Sequence, residues 1–285
     1  MTLNATDWNT KWKRQWNRYR DASMEQTGAA YWDNEDAARD YYRKSLEHRN
    51  ARVDPVLAGL PLAPTARVLD IGAGPGSITI PLARKVAHVT AVEPSGGMYT
   101  VLRENLATES VSNVDTLQKL WEDVDVSADL DGPYDIVFAR NSLNVPDIKD
   151  AIGTMIAASS DYLAIYWFAG LTPWEMMSCA LWPALHGREF ASPPKCDIIY
   201  NLLYSMGIYP SVESVPFPHT YVFPTSEAAV EYFAPQVLAA TTAQKDVLRQ
   251  YILAHMGSDG TTYTIPGHSH HVKIWWRKRE SPPSD

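Results

Sequence analysis

Between Ala66 and Ala169, short apolar runs alternate with longer segments whose apolar residues recur at helical spacing. The runs are Ala66–Ile71, Val89–Val92, Val114–Leu120, Tyr134–Phe138 and Tyr162–Phe168. Runs this short and this continuously apolar predict strands buried on both faces, as in a parallel sheet. A helix is expected over Asp147–Ser159, before the fifth run. Strand and helix in alternation predict a doubly wound α/β fold, and right-handed crossovers leave essentially one topology.

The flanks are patterned differently. Trp8, Trp12 and Trp16 recur every fourth residue, so on a helix they form one aromatic stripe, with Lys11, Lys13, Arg14 and Arg18 on the other faces. Tyr31, Trp32, Tyr41 and Tyr42 continue this aromatic density. Residues 1–60 are therefore read as an N-terminal helical arm. It packs on the main body, contacts a second copy in a homodimer, or closes over a ligand. Beyond Gly170, residues 171–194 are rich in Trp, Met and Pro, and a helix is expected over Lys195–Met206, stopped by Gly207. Ser211–Val222 reads as a strand interrupted by Pro216 and Pro218. Helices over Ser226–Phe233 and Ala243–Met256 follow, then a last strand over Thr262–Trp276. The organisation expected is an arm (1–60), a core (61–170) and a C-terminal region (171–285) that covers the substrate and completes the sheet.

Composition narrows the functional classes. The 285 residues are 45% hydrophobic, sufficient for a full core, and the net charge of -8 disfavours a general affinity for nucleic acid. The arm is nearly neutral, with 10 Lys/Arg against 9 Asp/Glu, which argues against an RNA-binding surface. No run approaches 18 apolar residues, and the N-terminus lacks the character of a signal peptide, so no membrane association and a cytoplasmic location are expected. Cys179 and Cys196 form no disulfide framework.

The candidate chemistry sits at the end of the first strand. Asp70-Ile-Gly72-Ala73-Gly74-Pro-Gly76 places three glycines where a turn needs unusual dihedrals and a ligand can lie against bare backbone. Glu93, 17 residues beyond Gly76, ends the next strand, where a carboxylate can accept both hydroxyls of a ribose. Dinucleotide dehydrogenases space their glycines G-x-G-x-x-G to seat a pyrophosphate. Here the third glycine comes one residue early, and Asp70 would repel a pyrophosphate while suiting a cation. In these residues the chain resembles the class I S-adenosylmethionine-dependent methyltransferases, over roughly residues 50–170.

The resemblance implies a mostly parallel seven-stranded sheet, with a helical insertion before the last strand accounting for the residues between Val222 and Thr262. It also implies S-adenosyl-L-methionine as cofactor, with Asp70, Gly72, Ala73, Gly74 and Gly76 at its methionine end and Glu93 and Pro94 at the ribose. Trp121 and Glu122 or Asp123 lie where that family seats the adenine, although Trp121 reads equally as a core residue. Arg140-Asn141-Ser142-Leu143 begins the loop expected to face the methyl group, and it lacks the Asn/Asp-Pro-Pro-Tyr/Phe signature of methyltransferases acting on base amines. Tyr31, Trp32, Tyr41 and Trp174 are candidates for the acceptor pocket, since aromatic faces attract a sulfonium. No side chain is singled out as a catalytic base; His186, His219 and Tyr200 are the candidates. His268 and His270 share one side of an extended segment and, with Cys179, Cys196, His186, His219 or His255, are the residues to which a metal would bind. A solvated turn is the reading preferred, and no metal is expected.

The activity expected is methyl transfer to a small-molecule acceptor. A tRNA or protein acceptor, or a non-catalytic binder of the same nucleoside, are the alternatives.

Overall fold

The computed structural model describes residues 6–22, 32–218 and 220–278. The arm comprises α1 (Trp8–Ala22), α2 (Glu35–Glu47) and the short α3 (Arg49–Arg52) and α4 (Asp54–Gly59). The alternating region follows as β1 (Arg67–Ile71), α5 (Thr79–Ala83), β2 (His88–Val92), α6 (Gly96–Thr108), β3 (Val114–Leu117), a single turn of 3-10 helix (Trp121–Asp123), α7 (Val126–Asp129), β4 (Tyr134–Arg140), α8 (Ile148–Ala158) and β5 (Ser159–Ala169). The remainder is α9 (Pro173–His186), α10 (Cys196–Ser205), β6 (Ser211–Pro218), β7 (Tyr221–Phe223), α11 (Ser226–Phe233), α12 (Thr242–His255), β8 (Gly257–Ser258), β9 (Tyr263–Ile265) and β10 (His268–Arg277).

Seven strands form one sheet in the order β3-β2-β1-β4-β5-β10-β6. β1 pairs in parallel with both β2 and β4, so that Val68 lies between Val89 and Ile136. The central strands β1, β2 and β4 are buried along most of their length, as expected of parallel strands covered on both faces. The chain order reverses between β1 and β4, and in open parallel sheets ligands bind beyond the strand ends at such a switch point. The helix that follows β2 starts where Ser95 accepts from the Met98 amide, and α8 starts where Asp147 accepts from Asp150.

The backbone divides into two compact units. The first contains the chain up to Trp167, Cys196–Glu213 and the segment from Lys273 onward; the second contains Phe168–Lys195 and Ser214–Val272. In the first unit the arm is part of the body. Trp12 is fully buried and Trp16 nearly so, which is the packing role among those the stripe allowed. In the second unit α11 and α12, the helical insertion, share a core with α9 that includes Leu181, Trp182, Phe233 and Leu248.

Two expected strands are each two. Ser211–Val222 divides into β6 and β7, and Thr262–Trp276 divides into β9 and β10 at Pro266-Gly267. β6 tolerates Pro216 and Pro218 because it is the last strand in the sheet order, where a missing amide breaks no ladder on the open side. β7, β9 and β8 form a separate three-stranded antiparallel sheet. The third run is shorter than expected, ending at Leu117, and Leu120 is exposed.

Candidate cofactor site

The turn after β1 is held by the strand beside it. The amides of Gly72 and Ala73 both donate to the Val92 carbonyl, at 2.7 and 3.1 Å. Gly72, Gly74 and Gly76 all have positive φ, of 75°, 57° and 90°. Their environments differ. A Cβ on Gly72 would lie 2.1 Å from the Cβ of Ser142, and one on Gly76 would lie 2.8 Å from Leu102. A Cβ on Gly74 would meet nothing within 4 Å, so this glycine alone of the three borders open space.

Glu93 is 6% exposed and reaches back to that open turn. One carboxylate oxygen accepts from the Gly74 amide at 2.8 Å and the other from the Ser95 amide at 2.9 Å. Burial raises its pKa, the two amides pull it down, and the nearby Asp33 carboxylate pushes it up. Asp70, also buried, accepts from the Thr79 hydroxyl at 2.7 Å. Its burial pushes the carboxyl up to about 7; the Thr79 bond and the Arg140 guanidinium act against this, and Glu93 acts with it. Two desolvated carboxylates flanking an open glycine turn form a site that gains by receiving a cation.

The loop after β4 supplies the opposite wall. Asn141 adopts a left-handed conformation with φ 56°, its amide donates to the Tyr166 carbonyl at 3.0 Å, and Ser142 Oγ donates to the Ile71 carbonyl. Arg140 Nε, Asn141 Oδ1, Asn144 Oδ1 and, on the glycine side, Ser77 Oγ are buried without a hydrogen-bond partner. Buried polar atoms are rarely left in this state, and three within five residues mark a surface that a ligand completes. The open space at Gly74 and the orphaned Asn141 oxygen both fit a bound nucleoside with a charged tail.

Residues 68–159 match the family model described as a methyltransferase domain. Over those residues the core matches a methyltransferase domain, in keeping with the class I S-adenosylmethionine-dependent methyltransferases that its motifs resemble. The chain spans at most half the length of the curated relatives it matches. It is 33% identical over 122 residues to a trans-aconitate 2-methyltransferase of Variovorax paradoxus, covering 41% of this chain and 43% of that protein. It is 37% identical over 78 residues to a 23S rRNA (uracil(1939)-C(5))-methyltransferase of Methylococcus capsulatus, but these cover only 27% of this chain and 17% of that one. A putative methyltransferase of Bacillus halodurans shares the fold, with a TM-score of 0.55 and 18% identity over 79% of this chain and 97% of the other.

The remaining candidates are dispersed. Pro94 is half-buried beside Glu93. Trp121 is 4% exposed and its indole donates to the Ala151 carbonyl at 3.0 Å, while Glu122 beside it is exposed. Trp32 and Tyr41 meet edge to face at 5.3 Å and pack on Ala38, Met98 and Val101, against α6 rather than as a free pocket wall. In the second unit, Trp174 meets Phe168 edge to face, and His186 Nε2 lies 2.9 Å from the Val237 carbonyl. Tyr200 is exposed on α10. His270 is exposed on β10. Tyr31, His219 and the side chain of His268 lie outside the described residues. Among the described residues no three His, Cys, Asp or Glu converge as metal ligands, and no helix is long and apolar enough to cross a membrane.

Sequence reasoning missed Thr79, which holds Asp70, and Asp33, which holds the Gly96 amide at 2.9 Å. Neither belongs to a spacing pattern. Thr79 opens the helix after the glycines, a position from which a side chain can reach back to the end of β1.

Proposed function

We propose that this protein transfers a methyl group from S-adenosylmethionine to a small-molecule acceptor by in-line displacement. The observation that carries the reading is the pair of buried carboxylates, Asp70 and Glu93, on either side of the open turn at Gly74. Asp70 would hold the cationic amino-acid end and Glu93 the ribose, with the bare backbone of Gly72–Gly76 between them. The cofactor supplies a methyl group already activated on a positively charged sulfur, so the protein's task is orientation and the exclusion of water. Asn141 and Asn144 each present a buried carboxamide oxygen without a partner, able to accept from an N–H or O–H group brought by a ligand.

The preference for a small acceptor rests on three points. The chain is acidic, with a net charge of -8, which disfavours the phosphate backbone. The loop after β4 lacks the base-amine signature. The trans-aconitate relative shares similar fractions of both chains, whereas the rRNA relative shares 17% of its own length. Organic acids are accordingly the first acceptors to screen. The test is calorimetry with S-adenosylmethionine and S-adenosylhomocysteine, followed by a metabolite screen for S-adenosylhomocysteine release. Binding without turnover across that screen would favour a regulator, turnover on unmodified rRNA fragments alone would favour an RNA acceptor, and failure to bind either cofactor form would overturn the assignment.

A further inference from the structure

The segment Trp32–Asn34 runs across the start of α6. Asp33 Oδ1 accepts from the amide of Gly96, the first residue of that helix, at 2.9 Å. The next residue is a glycine for reasons of space alone. A Cβ on Gly97 would lie 2.6 Å from the Asp33 carbonyl and 2.7 Å from that of Trp32. The crossing is secured on both sides: Asn34 caps α2 by accepting from Ala37, and Trp32 packs with Tyr41 over Met98 and Val101. Farther along the same helices Arg39 pairs with Glu104.

The turn being crossed is the one that Glu93 heads. Glu93 takes the Ser95 amide and Asp33 takes the next, so two carboxylates hold consecutive amides of one turn. Their charges are close enough that Asp33 works against the ionisation of Glu93. Asp33 is itself exposed.

We propose that Asp33 is a positioning residue of the cofactor site: by holding the Gly96 amide it fixes the Glu93–Gly97 turn against which the nucleoside end of the cofactor lies. The proposal rests on the function assigned above and makes the arm a part of the nucleoside subsite. A carboxylate at the first amide of a helix also caps that helix, so the experiment must separate capping from positioning.

Wild-type protein and the variants Asp33→Ala, Asp33→Asn and Arg39→Ala are titrated with S-adenosylhomocysteine and with adenosine, and their melting temperatures recorded. Wild-type binding of S-adenosylhomocysteine tests the underlying assignment independently of Asp33. Asp33→Ala is expected to weaken both ligands by about tenfold, the worth of one charge-assisted hydrogen bond. Asp33→Asn, which keeps an acceptor oxygen, is expected to restore affinity to within about threefold of wild type. Arg39→Ala, which removes the ion pair between α2 and α6 without touching the turn, should leave both affinities unchanged. The proposal is overturned if Asp33→Ala binds as wild type does, if its loss is confined to S-adenosylhomocysteine, if Asp33→Asn is as weak as Asp33→Ala, or if Arg39→Ala is equally weakened.

Discussion

Glu93, at the end of β2, holds the amide of Gly74 in the turn after β1 at 2.8 Å, so the carboxylate expected to bind the ribose also shapes the backbone beneath it. The same side chain takes the Ser95 amide, and both oxygens are committed to the protein. Replacing one oxygen by an amide NH2 sets a donor against a donor. Glu93→Gln is expected to weaken S-adenosylhomocysteine by roughly 10- to 100-fold, the range for hydrogen bonds to a charged group. Calorimetry on the folded variant checks this; affinity equal to wild type would remove Glu93 from the site.

Gly72 and Gly74 should separate folding from binding. Gly72→Ala drives a methyl group to 2.1 Å from Ser142, backbone-anchored on the next strand's loop, and should unfold or strongly destabilise the protein. Gly74→Ala meets nothing and carries only the left-handed backbone cost of about 1–2 kcal/mol. It should therefore melt close to wild type while losing most of its cofactor affinity, because the added methyl occupies the open space. A Gly74→Ala protein that binds normally would move the ligand away from this turn.

Asp70 predicts two pH dependences of opposite sign. A carboxyl raised from 3.8 to about 7 in the folded state keeps its proton more readily there than when unfolded. Its contribution to stability is therefore full below about 4 and is lost as the pH rises towards 7. Asp70→Asn should flatten urea stability over that window. A cationic ligand prefers the ionised form, so affinity for S-adenosylmethionine should rise by about tenfold from pH 6 to pH 8, with proton release on binding at the lower pH. Calorimetry in buffers of different ionisation enthalpy measures both, and a pH-independent affinity would separate Asp70 from the cationic end.

The aromatic stripe of α1 ties the arm to the loop beyond β4. Trp12 donates to the Val145 carbonyl at 2.8 Å and Trp16 to that of Asn144 at 3.3 Å, while Asn9 and Lys13 meet Asp147. Trp12→Phe keeps most of the apolar contact and leaves a buried carbonyl unpaired, at a cost of about 1–3 kcal/mol. Urea unfolding measures the loss. Hydrogen exchange should show faster amide exchange in residues 141–146, and unchanged exchange there would mean that the arm does not order the loop.

What was legible in advance follows from how local each signal is. The glycine turn and the flanking carboxylates could be read because backbone freedom, strand length and charge place them within a single β-turn-α-β unit. The core strands could be read because burial on both faces leaves an unbroken apolar run. Helix α11 has the expected bounds, Ser226–Phe233, since Thr225 caps its start. β7, β8 and β9 are two or three residues long, too short for any period to declare itself. Trp121 could not be assigned because an indole suits an adenine or a core equally, and its Ala151 partner is 30 residues away. Asp33 was invisible because its partner, Gly96, is 63 residues away and no pattern links them.

The path of the chain has a consequence for synthesis. It leaves the first unit after Trp167, returns for Cys196–Glu213, leaves again, and returns for good only at Lys273. The strand supplied by that final return, β10, stands between β5 and β6 in the sheet. On the ribosome, β6 must wait for a neighbour made about 50 residues later, which takes a few seconds at typical elongation rates. Until then the outer face of β5 is an uncovered ladder, so a nascent chain stalled before residue 268 should be the species most prone to aggregate and most in need of a chaperone.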